Sequence, residues 1–213
     1  MADAPFDSVI TSQDEVRELY RQPHDVVKRK KIDVLDEGIR AVIAATPLVF
    51  VATSAPDGTC EVSPRGGPPG FVQVLDEHRL AIPDLVGNNL IDTITNVVAN
   101  PHVGLLFVLP GRDETLRVNG KAWLTTDPAV LGGFTAELKP PKAAIGVLVE
   151  SAFVHCAKSF RRGQVWQPET WAPDAAPSAA ELLTCHIQLS ITPDVLAADL
   201  ETGYAHDLAA ERA

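Results

Sequence analysis

No stretch of this 213-residue chain approaches the roughly 20 consecutive apolar residues of a spanning helix, so a membrane partner is not expected. Met1 to Ser12 carry neither a cationic start nor an apolar segment of signal-peptide length, which argues against export and for a cytoplasmic protein. Cysteine is scarce: Cys60, Cys156 and Cys185 are odd in number and far apart, which argues against a disulfide framework and offers no zinc-type pair. They are expected to be reduced, small and mostly buried. Positive charge is also in deficit, with 18 Lys and Arg against 28 Asp and Glu and a formal net charge of −10. A phosphate backbone is bound by a concentrated basic surface, so nucleic acid is not an expected partner. The one basic run, Lys28-Arg29-Lys30-Lys31, reads either as a solvated helix face or as a local anchor for an anion.

Several catalytic signatures are missing as well. Gly66, Gly67 and Gly70 lack both the G-x-G-x-x-G order and its strand-to-helix context, and there is neither a Walker loop nor a nucleophile elbow. Hydrolase and nucleotide-dependent transferase readings lose support accordingly. His24, His78, His102, His186 and His206 are scattered, and the adjacent pair His155-Cys156 lacks the third and fourth ligands of a closed metal site. A buried strand end is the better reading of that pair. No metal site is expected.

The length is enough for one substantial core, and the 46% of hydrophobic residues suits a globular protein. Ser12-Gln13-Asp14-Glu15 is a capping-box pattern that predicts a helix running to about Gln22, before Pro23. Ile32, Leu35, Ile39, Val42 and Ile43 then recur at helical spacing until Thr46-Pro47. From Leu48 the period changes. Leu48 to Thr53, turn residues Pro56-Asp57-Gly58, and a run through Cys60 and Val62 predict a hairpin. Strands follow around Phe71 to Leu75 and Arg79 to Ile82, then a helix from Leu90 to Val98 that Asn100-Pro101 ends. A second hairpin is expected from Val103 to Val108 and Thr115 to Leu124, a helix from Pro128 to about Leu138, and a last strand from Ala144 to His155. Beyond Trp171 the chain reads as a linker through about Ser178, and Leu182 to Leu208 fit helices that pack on a barrel or on a second subunit. With no internal repeat and no parallel βαβ rhythm, the expected fold is a mainly β, α+β single domain. Residues 1–47 are N-terminal helices, 48–166 form an antiparallel barrel core, and 179–213 are C-terminal helices.

Three blocks stand out from the core pattern. Glu61 to Gly70 holds three glycines, three prolines and the single Arg65, and reads either as a long hairpin connection with a solvated arginine or as a backbone-rich cradle with a cation for an anionic ligand. Ile82-Pro83-Asp84-Leu85-Val86-Gly87-Asn88-Asn89 stands just before a helix, whose free amides favour a phosphate, although Asn88 and Asn89 are also ordinary capping residues. Glu114 to Gly120 places Arg117 and Asn119 on alternate strand positions, facing either solvent or a groove.

In order and spacing, these blocks resemble the pyridoxamine 5'-phosphate oxidase-like flavoproteins, in particular a branch of short, FMN-dependent members. The likeness spans roughly Val49 to Trp166 and rests on Ser63-Pro64-Arg65-Gly66, Pro69-Gly70-Phe71-Val72, Ile82-Pro83-Asp84, Gly87-Asn88-Asn89, Asn100-Pro101, Thr115 to Gly120 and His155 to Ser159. The resemblance implies an antiparallel split β-barrel whose two FMN sites lie between the subunits of a homodimer. It implies that Ser63, Pro64 and Arg65 approach the flavin ring or phosphate, that Pro83 and Asp84 line the isoalloxazine, and that Asn88 and Asn89 meet the phosphate. Thr115 falls where the wider family often has a flavin-contacting glutamine, and Arg117 where a residue commonly faces the ligand groove. Lys158, Ser159, Arg161 and Trp166 resemble the segment that closes over the site, in some cases from the partner subunit.

One departure matters. Relatives usually carry a phosphate-binding arginine or lysine directly after Gly-Asn-Asn, where this chain has Leu90, and Thr95 likewise replaces an arginine. Loss of one charge-assisted hydrogen bond removes about 1.5–3 kcal/mol, about one to two decades of affinity. Three outcomes follow: weak FMN binding, binding through Arg65 and Arg117 instead, or replacement of FMN by another ligand. The resemblance therefore implies an FMN-dependent oxidoreductase acting on a small-molecule substrate. The rival is a non-catalytic split barrel that binds flavin, haem or another anionic small molecule, and Leu90 is the feature that favours it.

Overall fold

The computed structural model describes residues 5–213, in two compact units that divide between Lys31 and Ile32. In the first, helix α1 (Gln13–Leu19) begins with the expected capping box: the Glu15 amide donates to Ser12 Oγ at 3.2 Å, and the Glu15 carboxylate accepts the Thr11 and Ser12 amides. It ends at Tyr20, a little earlier than the sequence suggests. Helix α2 (Asp25–Arg29) takes up the start of the basic run, where Lys28 pairs with Asp25 at 3.6 Å.

The second unit opens with helix α3 (Glu37–Ala45), capped by Asp36, whose carboxylate accepts the Ile39 amide at 2.8 Å. It buries Ile39 and Ile43. The helical period seen from Ile32 onward belongs to helix only after this cap. Ile32 instead bridges Ala152 as isolated β-structure, and the Leu35 amide donates to the Glu77 carbonyl.

Seven strands then build one antiparallel sheet: β1 (Leu48–Ser54), β2 (Cys60–Gly66), β3 (Gln73–Val74), β4 (Arg79–Pro83), β5 (His102–Val108), β6 (Thr115–Thr125) and β7 (Ala144–Val154). Their spatial order is β2-β1-β5-β6-β7-β4-β3, so β2 and β3 are the two edges of a split barrel. Helix α4 (Asp92–Ala99) lies over β1, β2 and β6. The inward positions Val49, Val51, Leu80, Ile82, Leu105, Phe107, Leu116 and Val118 join α3 and Phe71 in one core. Burying each such side chain contributes about 1.5–3 kcal/mol against chain entropy. This is the mixed α+β barrel expected from the strand pattern.

Two boundaries and the burial of the cysteines differ. Strand β2 runs on to Gly66, where a loop was expected from Glu61, because an edge strand can turn the N–H-less side of Pro64 outward at no loss of ladder bonds. Helix α5 (Pro128–Leu131) stops at Gly132, whose amide closes back on Pro128 and Val130, well short of Leu138. The cysteines, expected to be mostly buried, are all free and exposed: Cys60 opens the edge strand, Cys156 follows the end of β7, and Cys185 lies on a later helix. The chain beyond β7 forms α6 (Lys158–Arg162), two short 3-10 turns, α7 (Ala179–His186) and α8 (Pro193–Glu211), with α7 and α8 packed on each other. No helix among the described residues is long and apolar enough to cross a membrane.

Candidate functional site

The inward face of the sheet changes chemistry at its edge. Across the β1–β2 ladder, Val49, Val51 and Thr53 stand opposite Arg65, Ser63 and Glu61, so the apolar core row of β1 is continued on β2 by an arginine, a hydroxyl and a carboxylate. Strands do not place three polar side chains on the core face without a use for them, because each must find partners there.

A cleft of about 310 Å³ opens beside this row, between β2, the β4–α4 loop and the first turn of α4. It gathers Ser63, Pro64, Arg65, Asp84, Asn88 and Asn89, six of the residues singled out by sequence, and adds Glu61, Asp92 and Lys142. Pro83 is buried at the end of β4, paired with Ala144, and sets the start of the loop. Asp84 is 10% exposed, its amide donates to the Ala143 carbonyl, and its carboxylate lies 3.7 Å from the largely exposed ammonium of Lys142.

Arg65 Nε is buried without a hydrogen-bond partner. A buried guanidinium donor left open is costly and marks a place for an acceptor. The β4–α4 loop is itself unusual: Asn89 and the β-branched Ile91 both take left-handed backbone, at φ 58° and 51°. Such conformations persist where the surroundings impose them. Ile91 occupies the cap position of α4 and supplies no side-chain cap, so the first-turn amides have no side-chain acceptor at that position. The Asn88 side chain instead accepts the Leu90 amide at 3.0 Å, and Leu90 is 67% exposed.

The Glu61 carboxylate is held by hydroxyls. It accepts from Ser63 Oγ at 2.5 Å, from Thr53 Oγ1 at 2.9 Å, and from Thr93 Oγ1 at 3.0 and 3.1 Å to its two oxygens, while Asn96 Nδ2 donates to Thr53 Oγ1 at 3.1 Å. Sequence reasoning missed Glu61 as a site residue, although its period-two alternation with Ser63 and Arg65 is visible. Lys142 carries no such signal, since it reaches the cleft only through the segment after Pro140-Pro141.

The other expected site residues lie elsewhere. Thr115 is 6% exposed at the start of β6, on the same side of the strand as Arg117 and opposite the core residues Leu116 and Val118. Arg117 faces outward on β6, where its Nε donates to Asn119 Oδ1 at 3.0 Å and its guanidinium sits 5.7 Å from the Phe153 ring. It lines a second, mostly apolar cavity of about 500 Å³ with Phe50, Ala52, Val62, Leu106 and His155. Arg161, on α6, is clamped to Asp113 at 2.8 Å, and that contact holds its guanidinium above its ordinary pKa. Trp166 Nε1 donates to the Arg112 carbonyl at 2.8 Å, and Lys158 and Ser159 are exposed in the first turn of α6. The sequence-expected residues thus form two groups, one in the cleft and one around the β5–β6 turn.

The cleft residues fit one end of a flavin: an unpaired buried arginine donor, a lysine ammonium and a helix start without a side-chain cap can receive an anionic or hydrogen-bond-accepting group. Among the described residues no group of three or more His, Cys, Asp or Glu is arranged to hold a metal ion.

A sequence profile described as pyridoxamine 5'-phosphate oxidase matches residues 35–156. Among solved structures, HupZ of Group A Streptococcus is 20% identical, with 56% of this chain and 92% of that chain covered and a TM-score of 0.44. General Stress Protein 26 of Bacillus anthracis is 17% identical, with 55% and 91% covered and a TM-score of 0.42. A Clostridium acetobutylicum protein related to general stress protein 26 is 13% identical, with 55% and 84% covered and a TM-score of 0.41. No curated protein matches the sequence.

Proposed function

Because the chain belongs to the pyridoxamine 5'-phosphate oxidase family, we propose that it is an FMN-dependent oxidoreductase acting on a small molecule, with the flavin held between the subunits of a homodimer. The observation that carries the reading is the buried, unpaired Nε of Arg65 in the wall of a cleft that also gathers Ser63, Pro64, Asp84, Asn88 and Asn89. Bound flavin supplies the hydride- or electron-accepting centre, and the protein supplies position, electrostatics and access. Arg65 and Lys142 attract the anionic end, Pro83 and Asp84 present a firm edge to the ring, and the Asn88-Asn89 loop closes over the ribityl side.

The division of the expected residues supports two subunits. Arg65 pairs across from the buried Val49 and so points inward, whereas Arg117 lies in the outward row of Phe50 and Leu106. One protomer turns its two groups to opposite faces of the sheet; a second copy can bring its outward group to the cleft of the first.

A second reading, a barrel that binds a flavin, haem or another anionic small molecule without turning it over, is favoured by Leu90, an exposed aliphatic side chain where a phosphate-binding cation is expected. The absorption spectrum of the freshly purified protein, with the ligand identified by mass, separates the two. The oxidoreductase reading expects a yellow protein that NAD(P)H or another reductant bleaches and air restores. A colourless protein indifferent to added FMN overturns it. Arg65→Ala is expected to lose about ten- to a hundredfold in FMN affinity; full affinity in that variant would remove Arg65 from the site.

A further inference from the structure

The structure assigns to Glu61 the role of setting how far the cleft discriminates between flavins by their terminal group, disfavouring a phosphate monoester. The assignment rests on the flavin reading above and concerns the same cleft.

A phosphate needs hydrogen-bond donors, and the side-chain hydroxyls beside Glu61 in this cleft are already engaged. Each hydroxyl owns one proton. Ser63, Thr53 and Thr93 all direct theirs to the Glu61 carboxylate. A hydroxyl that has donated its proton can offer only lone pairs to a ligand, so Ser63 and Thr93 meet a phosphate oxygen as acceptors, not as donors. Asn96 fixes the network from behind by donating to Thr53, which leaves the Thr53 proton directed at Glu61.

Charge acts in the same sense. Glu61 bonds to the Thr93 side chain in the first turn of α4, and Asp92 stands at the first position of that helix, so two carboxylates lie beside the helix amides that a phosphate would use. The cleft lining holds two cations, Arg65 and Lys142, against three carboxylates, Glu61, Asp84 and Asp92, and Lys142 is itself paired with Asp84. A dianionic phosphate entering beside Glu61 meets like charge and no hydroxyl donor from Ser63 or Thr93. A flavin ending in a hydroxyl meets acceptors that suit its own proton. Leu90, in place of a cation, belongs to the same arrangement.

The test measures dissociation constants for riboflavin and FMN, by quenching of flavin fluorescence, on the full chain and on Glu61→Gln. Glutamine keeps the length and one acceptor oxygen, removes the charge, and releases at least one hydroxyl proton toward the cleft. The expected result is that FMN tightens about tenfold or more in Glu61→Gln while riboflavin changes by less than about twofold. Asp92→Asn removes a charge from the same helix turn without freeing a hydroxyl, and is expected to move the FMN-to-riboflavin ratio by less. Equal shifts for both flavins, weaker FMN binding in Glu61→Gln, or an Asp92→Asn effect as large as that of Glu61→Gln would overturn the assignment.

Inorganic phosphate gives a readout independent of the ring: millimolar phosphate is expected to raise the melting temperature of Glu61→Gln and not of the parent. If neither protein takes either flavin but this phosphate response appears, the flavin reading falls and the role of Glu61 as an excluder of phosphate stands. If flavin binds, the ratio is unchanged and phosphate acts equally on both proteins, the role of Glu61 falls and the flavin reading stands.

Discussion

At the scale of the single residue, the structure separates side chains whose roles the sequence shows from those that only the fold reveals. Arg65 was legible because it is a lone cation in a glycine- and proline-rich block; Glu61, four residues earlier, was not, because a carboxylate near a strand start is ordinarily solvated and its three hydroxyl partners come from β1, β2 and α4. Gly120 is a clearer case of a residue fixed by neighbours distant in sequence. The β6–β7 register shifts between Asn119 and Gly120, and a Cβ at position 120 would fall on the carbonyl of Leu148. Backbone cannot retreat from such a contact as a flexible side chain can. Gly120→Ala is therefore expected to lower stability by about 1–3 kcal/mol, read as a lower midpoint in chemical denaturation, and an unchanged midpoint would show that the bulge can relax.

Whole elements were legible wherever period and punctuation agreed. Strands β1, β5, β6 and β7 fall within a residue or two of their sequence limits because dense β-rich runs are bounded on at least one side by Pro, Gly or Asp. Agreement failed where context outweighed composition. Pro64 and three nearby glycines read as loop, yet pairing with β1 carries β2 through Gly66, and that extension is what turns Ser63 and Arg65 inward. The apolar spacing from Ile32 misled in the other direction, since α3 starts only at its Asp36 cap, four residues after Ile32, and Ile32 itself bridges Ala152 as β-structure. The cap is testable. Asp36→Ala is expected to cost about 1 kcal/mol, and Asp36→Asn, which keeps an acceptor for the Ile39 amide, is expected to recover most of it.

The β3–β4 turn offers a pH test at the same scale. Asp76 accepts the His78 amide at 2.9 Å and Arg79 Nε at 2.7 Å, and these bonds, the amide first, hold its carboxyl below the ordinary aspartate value of 3.8. A carboxyl depressed in the folded state contributes stability that is fully present above its unfolded pKa and lost as the pH falls through the folded one. The stability difference between the parent and Asp76→Asn should accordingly be constant near neutrality and shrink on acidification below 3.8. The exposure of the turn keeps the difference small, and a gap that widens in acid would contradict the sign.

On the scale of the molecule, the outward side of the barrel wall poses the remaining question. Phe50, Leu106 and Arg117 form one row across β1, β5 and β6, with Val62 and Ala52 beside them, and together they line the larger, apolar cavity. Val62 is 63% exposed on an edge strand whose other face carries the candidate site. An apolar surface of this kind, rimmed by Arg117 and His155, suits association with another protein surface. In the proposed homodimer the same β2 strand serves both purposes, its inward side chains binding ligand and its outward ones contacting the partner. Val62→Glu then acts as a separator. Its position in the monomer is open to solvent, so the variant should fold with an unchanged melting profile at low concentration. In sedimentation it should shift from dimer to monomer, and its flavin affinity should fall by about tenfold or more as the partner's contribution is lost. A dimer that survives with flavin binding intact would place the interface elsewhere. A monomeric variant that binds flavin as well as the parent would show that one protomer completes the site by itself.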